Sequence, residues 1–203
     1  MYFYSKRADD LTKIQKKYAD IYYVKKLKSG WSNPINLGFP INTKMLESSP
    51  SLTENGTLYF MNGVNEPEVQ YNICRSQSLN GKYSKPELLD NSINSKYHDY
   101  TPFIAPDESF ILFSSVNRPE GYGSGDLYVA FKKESGKWTH PINLGEAVNT
   151  RHNERFPSIT PDGKYLFFVS NIKKEENKGI LNVPQNGYCD VYWVSSQIIY
   201  DLK

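Results

Sequence analysis

The chain of 203 residues is poor in several things, and each scarcity removes a class of protein. Cysteine occurs twice, at Cys74 and Cys189. Two thiols without the paired spacing of a zinc or redox motif rule out a disulfide framework and a thiolate metal centre. They read as two ordinary, partly buried thiols; the repeat described below sets them two units apart, which disfavours a bridge. No apolar run approaches the roughly 18 residues that cross a bilayer, so no membrane span is expected. Charge of one sign is also missing, with 24 Lys and Arg against 22 Asp and Glu. That balance gives no basic field for nucleic acid or an anionic membrane surface. The opening Met1-Tyr2-Phe3-Tyr4-Ser5-Lys6-Arg7 lacks the charged-then-apolar order of a signal peptide. Taken alone, it suggests either a cytoplasmic protein or a chain whose natural N-terminus has been lost.

What the chain does have is aromatic residues and a period. Aromatics make up 14% of it, with 16 tyrosines, a composition that suits the pleated surfaces of β-structure. Residues 156–171 show the unit. An apolar run enters, Pro161, Asp162 and Gly163 turn the backbone, and Tyr165-Leu166-Phe167-Phe168 leaves. Pro and Gly supply turn dihedrals that bulky residues resist, so this is a hairpin signal. The stretch recurs behind Pro50, Pro102 and Pro157, at steps of 52 and 55 residues. The clusters Trp31-Ser32-Asn33-Pro34, Tyr83-Ser84-Lys85-Pro86 and Trp138-Thr139-His140-Pro141 keep the same steps. A third anchor follows the register in Asp20-Ile21-Tyr22, Asn72-Ile73-Cys74, Asp126-Leu127-Tyr128 and Asp190-Val191-Tyr192.

Each unit reads as four short strands, a to d. Strand a holds the repeated proline, b follows the turn, c starts at Asp or Asn, and d surrounds the Trp-x-x-Pro cluster. A four-stranded unit of about 50 residues fits a propeller blade, whereas a Greek-key sandwich does not keep so even a period. The expected fold is all-β, a single β-propeller over residues 1–203, with blades at about 1–46 (lacking strand a), 47–94, 95–149 and 150–203. In the first, Leu11, Ile14 and Tyr18 stand at helical spacing, so residues 6–19 read as a turn or two of helix or as loop. The b–c loop of the third blade is Gly-rich through Gly121, Gly123 and Gly125; that of the fourth, 172–187, is long and polar. The tail 197–202 reads as a strand d or a short helix.

Thr160-Pro161-Asp162-Gly163-Lys164-Tyr165-Leu166-Phe167-Phe168 resembles the hairpin hallmark of the TolB-like β-propeller repeat family. Residues 105–113 match it less fully, with Glu108 where Gly usually stands, and Thr53-Glu54-Asn55-Gly56 lacks the Pro-Asp pair. The resemblance covers the whole chain and implies a propeller of about six blades, whereas three and a half to four are counted here. Three outcomes stay open: a closed four-bladed ring, an open arc or piece of a longer propeller, and two chains that complete each other as a homodimer. An open arc leaves exposed strand edges. The resemblance also implies a periplasmic or secreted protein of the cell envelope. It points to a non-catalytic binding module for a protein or glycan partner, and as the alternative to a carbohydrate-active enzyme, a lyase or glycosidase.

The candidate site comes from the links between strand d and the next strand a. They read Asn42-Thr43-Lys44-Met45-Leu46-Glu47, Asn94-Ser95-Lys96-Tyr97-His98-Asp99 and Asn149-Thr150-Arg151-His152-Asn153-Glu154. Asn, a hydroxyl, a cation and a carboxylate hold fixed offsets. Two readings apply. In one, each carboxylate accepts backbone N–H groups and each Asn caps a turn. In the other, Glu47, Asp99 and Glu154 ring the axis as an acidic binding mouth, with His98, His152 and Arg155 as its variable members. A glycosidase would need an acid and a base there, roughly 5–10 Å apart; three equivalent environments argue against one, since an acid–base pair wants unlike pKa values. His98, Asp99, His152 and Glu154 do not share ligand spacing on one element, so neither a metal nor a cofactor is expected. Gly121, Gly123 and Gly125 precede a strand and offer no helix N-terminus to a phosphate. The sequence has neither a Gly-x-Ser-x-Gly elbow nor a sialidase Asp-box. Trp31, Tyr83 and Trp138 are expected to pack between blades.

Overall fold

The computed structural model describes residues 1–8, 16–63, 70–171 and 189–203. Four antiparallel sheets follow one another along the chain, each built in sequence order. The first has three strands, β1 (Tyr2–Ser5), β2 (Asp20–Tyr23) and β3 (Ile35–Asn36). The second has four, β4 (Leu46–Leu52), β5 (Leu58–Gly63), β6 (Asn72–Ser76) and β9 (Glu87–Leu88), with a small hairpin, β7 (Ser78–Leu79) and β8 (Lys82–Tyr83), between the last two. The third comprises β10 (Asp99–Ile104), β11 (Phe110–Ser115), β12 (Asp126–Phe131) and β13 (Ile142–Asn143); the fourth comprises β14 (Arg155–Ile159), β15 (Tyr165–Ser170) and β16 (Asp190–Ser195). The tail forms the short helix α1 (Gln197–Tyr200). Each sheet is a propeller blade, and among the described residues the first has no strand a.

The turn between strands a and b is the same object three times. Gly56 N–H donates to Thr53 O at 3.0 Å, Glu108 N–H to Ala105 O at 2.8 Å and Gly163 N–H to Thr160 O at 2.8 Å. All three donors have positive φ, +84°, +62° and +73°, the region in which glycine alone avoids a Cβ clash. Glu108 occupies it with a side chain. The side chains of Asn55, Asp107 and Asp162 accept the N–H two residues on, from Thr57, Ser109 and Lys164, which is why a turn without the Pro-Asp pair still closes.

Burial follows the stacking of blades. Ile21, Leu58, Phe60 and Cys74 lie between the first and second sheets. Tyr59, Ile73, Phe113, Tyr128 and Trp138 lie between the second and third. Leu112, Val129, Leu166, Phe168 and Ile199 lie between the third and fourth. Among the described residues, no buried apolar cluster joins the fourth sheet back to the first, and the sheets form an open arc. The third blade is covered on both faces, so β11 and β12 are buried at every residue, as strands between two layers must be. The fourth is covered on one face, and β16 alternates between half-buried and exposed.

Position in the arc also corrects one expectation. Trp138 is 6% exposed and fills the contact between the second and third blades, but Trp31, its counterpart in the first, is 52% exposed. A residue of this kind packs on the preceding blade, and among the described residues no sheet stands before the first. Cys74 and Cys189 are both free; burial pushes the Cys74 thiol up to about 12. Leu11 and Ile14 fall outside the described residues, as does the loop 172–187. No helix among the described residues is long and apolar enough to cross a membrane.

Candidate functional site

The repeated link from strand d to the next strand a is held by two devices. In the first, a side-chain amide behaves as a piece of strand. Asn42 Oδ1 accepts Ile21 N–H at 2.9 Å and its Nδ2 donates to Ile21 O at 2.8 Å. Asn94 does the same to Ile73, at 2.7 and 2.9 Å, and Asn149 to Leu127, also at 2.7 and 2.9 Å. Each asparagine thereby gives a buried strand-c N–H its partner and adds a second donor to the same residue's carbonyl, which also accepts the N–H of Leu37, Leu89 or Leu144.

In the second device, a carboxylate closes its own loop. Glu47 accepts Thr43 N–H at 3.1 Å, Thr43 Oγ1 at 2.6 Å and Asn62 Nδ2 at 3.0 Å. Glu154 accepts Thr150 N–H at 2.9 Å, Thr150 Oγ1 at 2.8 Å and Ser170 Oγ at 2.6 Å. Asp99 accepts Ser95 N–H at 2.7 Å, Ser95 Oγ at 2.8 Å and Ser115 Oγ at 2.6 Å, and adds an ion pair with Arg118 Nη2 at 2.9 Å. All three carboxylates have 0% exposure. Each ties a link to the end of the adjacent strand b and fixes the entry of strand a. Burial raises the Glu47 carboxyl above its usual range, against the pull of the hydrogen bonds from Thr43.

The loops so clamped deliver the strands a, β4, β10 and β14, side by side along the inner edge of the arc. Each of them bulges at its proline. Pairing with strand b slips between Ser48 and Ser51, between Tyr100 and Phe103, and between Arg155 and Ser158. The residue before each proline is left-handed although none is glycine: Ser49 at φ +52°, Thr101 at +49° and Phe156 at +55°. Such a conformation costs about 1–2 kcal/mol for an L-residue and recurs where backbone is held for function. The bulged residues lack ladder partners, and all three prolines' predecessors line one cleft.

That cleft, of about 580 Å³, lies on the axis and draws on all four blades. Tyr4 and Lys6 come from the first, Tyr71 from the second, Tyr100 from the third, Arg155 and Phe156 from the fourth. Tyr71 and Tyr100 lie with ring centroids 6.4 Å apart. His98 stands behind them: its Nδ1 accepts Tyr71 N–H at 3.1 Å and its ring meets the Tyr71 ring at 5.0 Å. The Tyr100 hydroxyl donates to Asn153 Oδ1 at 3.0 Å; burial pushes it up to about 12, with Arg155 pulling the other way. Arg155 Nη2 donates to Cys189 Sγ at 3.0 Å, and its guanidinium carbon stands 5.7 Å from the centre of the Phe156 ring. Its Nε is buried and has no hydrogen-bond partner. Among the described residues, the charged ones that line the cleft, Lys6 and Arg155, are both cationic.

The six residues singled out from the sequence therefore separate. Arg155 lines the cleft, His98 backs it, and Glu47, Asp99 and Glu154 are buried in the clamps that shape it. His152 contributes its backbone, with its N–H donated to Thr150 Oγ1 and its carbonyl accepting Ser124 N–H. The reasoning from sequence passed over Lys6, Tyr71, Tyr100 and Phe156. A signal for two of them was present: the pair before each repeated proline reads Ser48-Ser49, Tyr100-Thr101 and Arg155-Phe156, variable residues inside an otherwise uniform device. Among the described residues, no group of three His, Cys, Asp or Glu is placed to hold a metal ion.

No family model matches the sequence, and no curated protein matches it either. Solved structures do. A protein from Agrobacterium tumefaciens assigned as TolB superposes with a TM-score of 0.52 at 15% identity, over 89% of this chain and 55% of its own. A glycoside hydrolase superposes at 0.56 and 11% identity, over 89% of this chain and 62% of its own. A levansucrase from B. megaterium superposes at 0.50 and 12% identity, over 88% and 59%. At such identities the likeness is one of fold, a β-propeller, and this chain spans less than two thirds of the length of each.

Proposed function

We propose that this chain is a non-catalytic binding module of the TolB-like propeller type, which presents its axial cleft to a protein or glycan partner. The observation that carries the reading is the composition of the cleft. Aromatic side chains from all four blades meet two cations there, while the three serial carboxylates are buried and hydrogen-bonded in their clamps. A hydrolytic site needs an acid and a base whose environments differ. Glu47, Asp99 and Glu154 instead share one loop-closing device, set by a hydroxyl residue four positions earlier, to which Asp99 adds the Arg118 ion pair. On this reading Arg155 makes contact, His98 supports Tyr71, and Glu47, Asp99, His152 and Glu154 hold the rim in shape. Strain at Ser49, Thr101 and Phe156 supports it too, since all three strained positions face the cleft.

The test is a panel of glycans and of purified envelope proteins, with binding and turnover measured on the same partners. Saturable binding that Phe156→Ala together with Tyr100→Ala abolishes, without turnover, is the expected result. Turnover of a bound glycan that Glu154→Gln removes would place the chain among the carbohydrate-active enzymes instead.

A further inference from the structure

The axial cleft has a charge preference as well as a shape. Resting on the binding reading above, we infer that its ligand is an anionic saccharide, a sugar unit whose ring lies against the tyrosines and whose carboxylate or sulfate meets Arg155. Three independent features lead there. The first is Arg155 itself. One terminal nitrogen is committed to Cys189 Sγ, a weak acceptor, while Nε is buried without a partner. A guanidinium presents its donors as a planar fork that matches two acceptor oxygens at once, and a buried donor left unpaired costs about 1–3 kcal/mol. A bound anionic group removes that cost. Lys6 lines the same cleft and adds charge of the same sign.

The second feature is what balances Arg155 in the free protein. Glu154 is its neighbour in sequence, yet both Glu154 oxygens are turned back onto Thr150 and Ser170. Glu47 likewise accepts from Thr43 in its own link and from Asn62 on β5. Among the described residues, no carboxylate lines the cleft. The third feature is the wall. Tyr4, Tyr71, Tyr100 and Phe156 supply flat apolar surface, and the bulges at Ser49, Thr101 and Phe156 bring backbone without ladder partners to the cleft, of which the Phe156 N–H is taken by Thr101 Oγ1 at 3.3 Å. Sugars carry an apolar ring face and hydroxyls that pair with such backbone. A cleft of about 580 Å³ is within the range that holds small ligands, about 300–1,000 Å³.

The experiment compares sugars that differ at one carbon. Methyl β-glucuronide, methyl β-glucoside and glucose 6-sulfate are titrated into the whole chain by calorimetry, with competition by inorganic sulfate. The expected result is that the glucuronide binds about tenfold or more tighter than the glucoside, and that added salt weakens it. Arg155→Gln should remove that preference, and Lys6→Gln should reduce it without touching the Arg155–Cys189 contact. Preference for the sulfated sugar over the glucuronide would keep the anionic class and assign the group as sulfate. Equal binding of glucuronide and glucoside, or a preference that survives both substitutions, would overturn the inference while leaving a glycan-binding module intact. Binding of no sugar, with a protein partner captured through Tyr100 and Phe156, would overturn it in favour of protein recognition.

Discussion

Asp99 and Arg118 show how much a single residue decides here. Arg118 is 8% exposed, donates to Asp99, Ser115 and the Ile93 carbonyl, and stands 5.1–5.3 Å from the ring centres of Tyr128 and Phe113. Removing one partner of a buried ion pair leaves the other charge without compensation, at a cost of about 3–5 kcal/mol. Arg118→Leu is therefore expected to lower unfolding free energy by about that amount in urea, where a substitution of exposed Lys28 would change it little. Glu47 gives a prediction about pH. Burial raises its folded carboxyl above the unfolded value, so the folded state holds the proton more tightly. Its contribution to stability is then full below the unfolded pKa and is lost as pH rises through the folded one. Glu47→Gln cannot lose a proton, so the melting temperature of the variant relative to the native chain should be more favourable at pH 8 than at pH 5. A smaller difference at pH 8 would contradict the buried, proton-retaining geometry. The offset Thr43–Glu47 was legible in the sequence as a regular feature; whether it ringed the axis or closed a loop was not, because a spacing of four carries no direction.

Among the elements, the a–b turn is where local rules and packing compete. Gly56 and Gly163 take their left-handed position without strain, while Glu108 takes it with a side chain that links two blades. Glu108 accepts the Tyr59 hydroxyl of the second blade at 2.6 Å and the Lys132 ammonium of its own. Those bonds outweigh burial and hold its carboxyl below the ordinary value. Glu108→Gly removes strain of about 1–2 kcal/mol but leaves the buried Tyr59 hydroxyl unpaired, at about 1–3 kcal/mol. The expectation is a small net loss in thermal melting that Tyr59→Phe turns into a gain, whereas Gly163→Glu, with no tyrosine opposite, destabilises outright. Asn149→Ala tests the amide clamp. It deprives the buried Leu127 N–H of its partner and leaves the Leu127 C=O to the Leu144 N–H alone, and about 1–3 kcal/mol should be lost by denaturant unfolding. The turns were readable because Gly, Pro and Asp have few other uses at such offsets. The left-handed Ser49, Thr101 and Phe156 were not, since none of the three favours that region and a following proline disfavours helical backbone.

At the scale of the molecule, the end of the arc carries the main consequence. Phe167 pairs with Trp193 and Val169 with Val191 across β15 and β16, and Val191 and Trp193 are 63% and 61% exposed. The matching face of the third blade, with Phe110, Leu112 and Val129, is buried under the fourth. The uncovered face therefore has the chemistry of a surface built to take another blade, and apolar patches of this kind drive association. Light scattering is expected to show a species larger than one chain at micromolar concentration, and Val191→Ser with Trp193→Ser should return it to one chain without lowering the melting temperature. A monomer at all concentrations would refute that.

Much of this architecture was present in the order of residues. Strand alternation and turn chemistry act over a few positions and recur at a period near 50, and they make the four blades, the short first blade and the all-β class readable from the sequence. The axial cleft was different in kind. Tyr4, Tyr71, Tyr100 and Arg155 lie far apart along the chain, and they converge because stacked blades turn each inner strand toward one axis. The same stacking buried the carboxylates, covered Trp138 and left Trp31 and Trp193 in water. Burial is a property of neighbours, and for equivalent residues of a repeat the neighbours are settled by position in the arc.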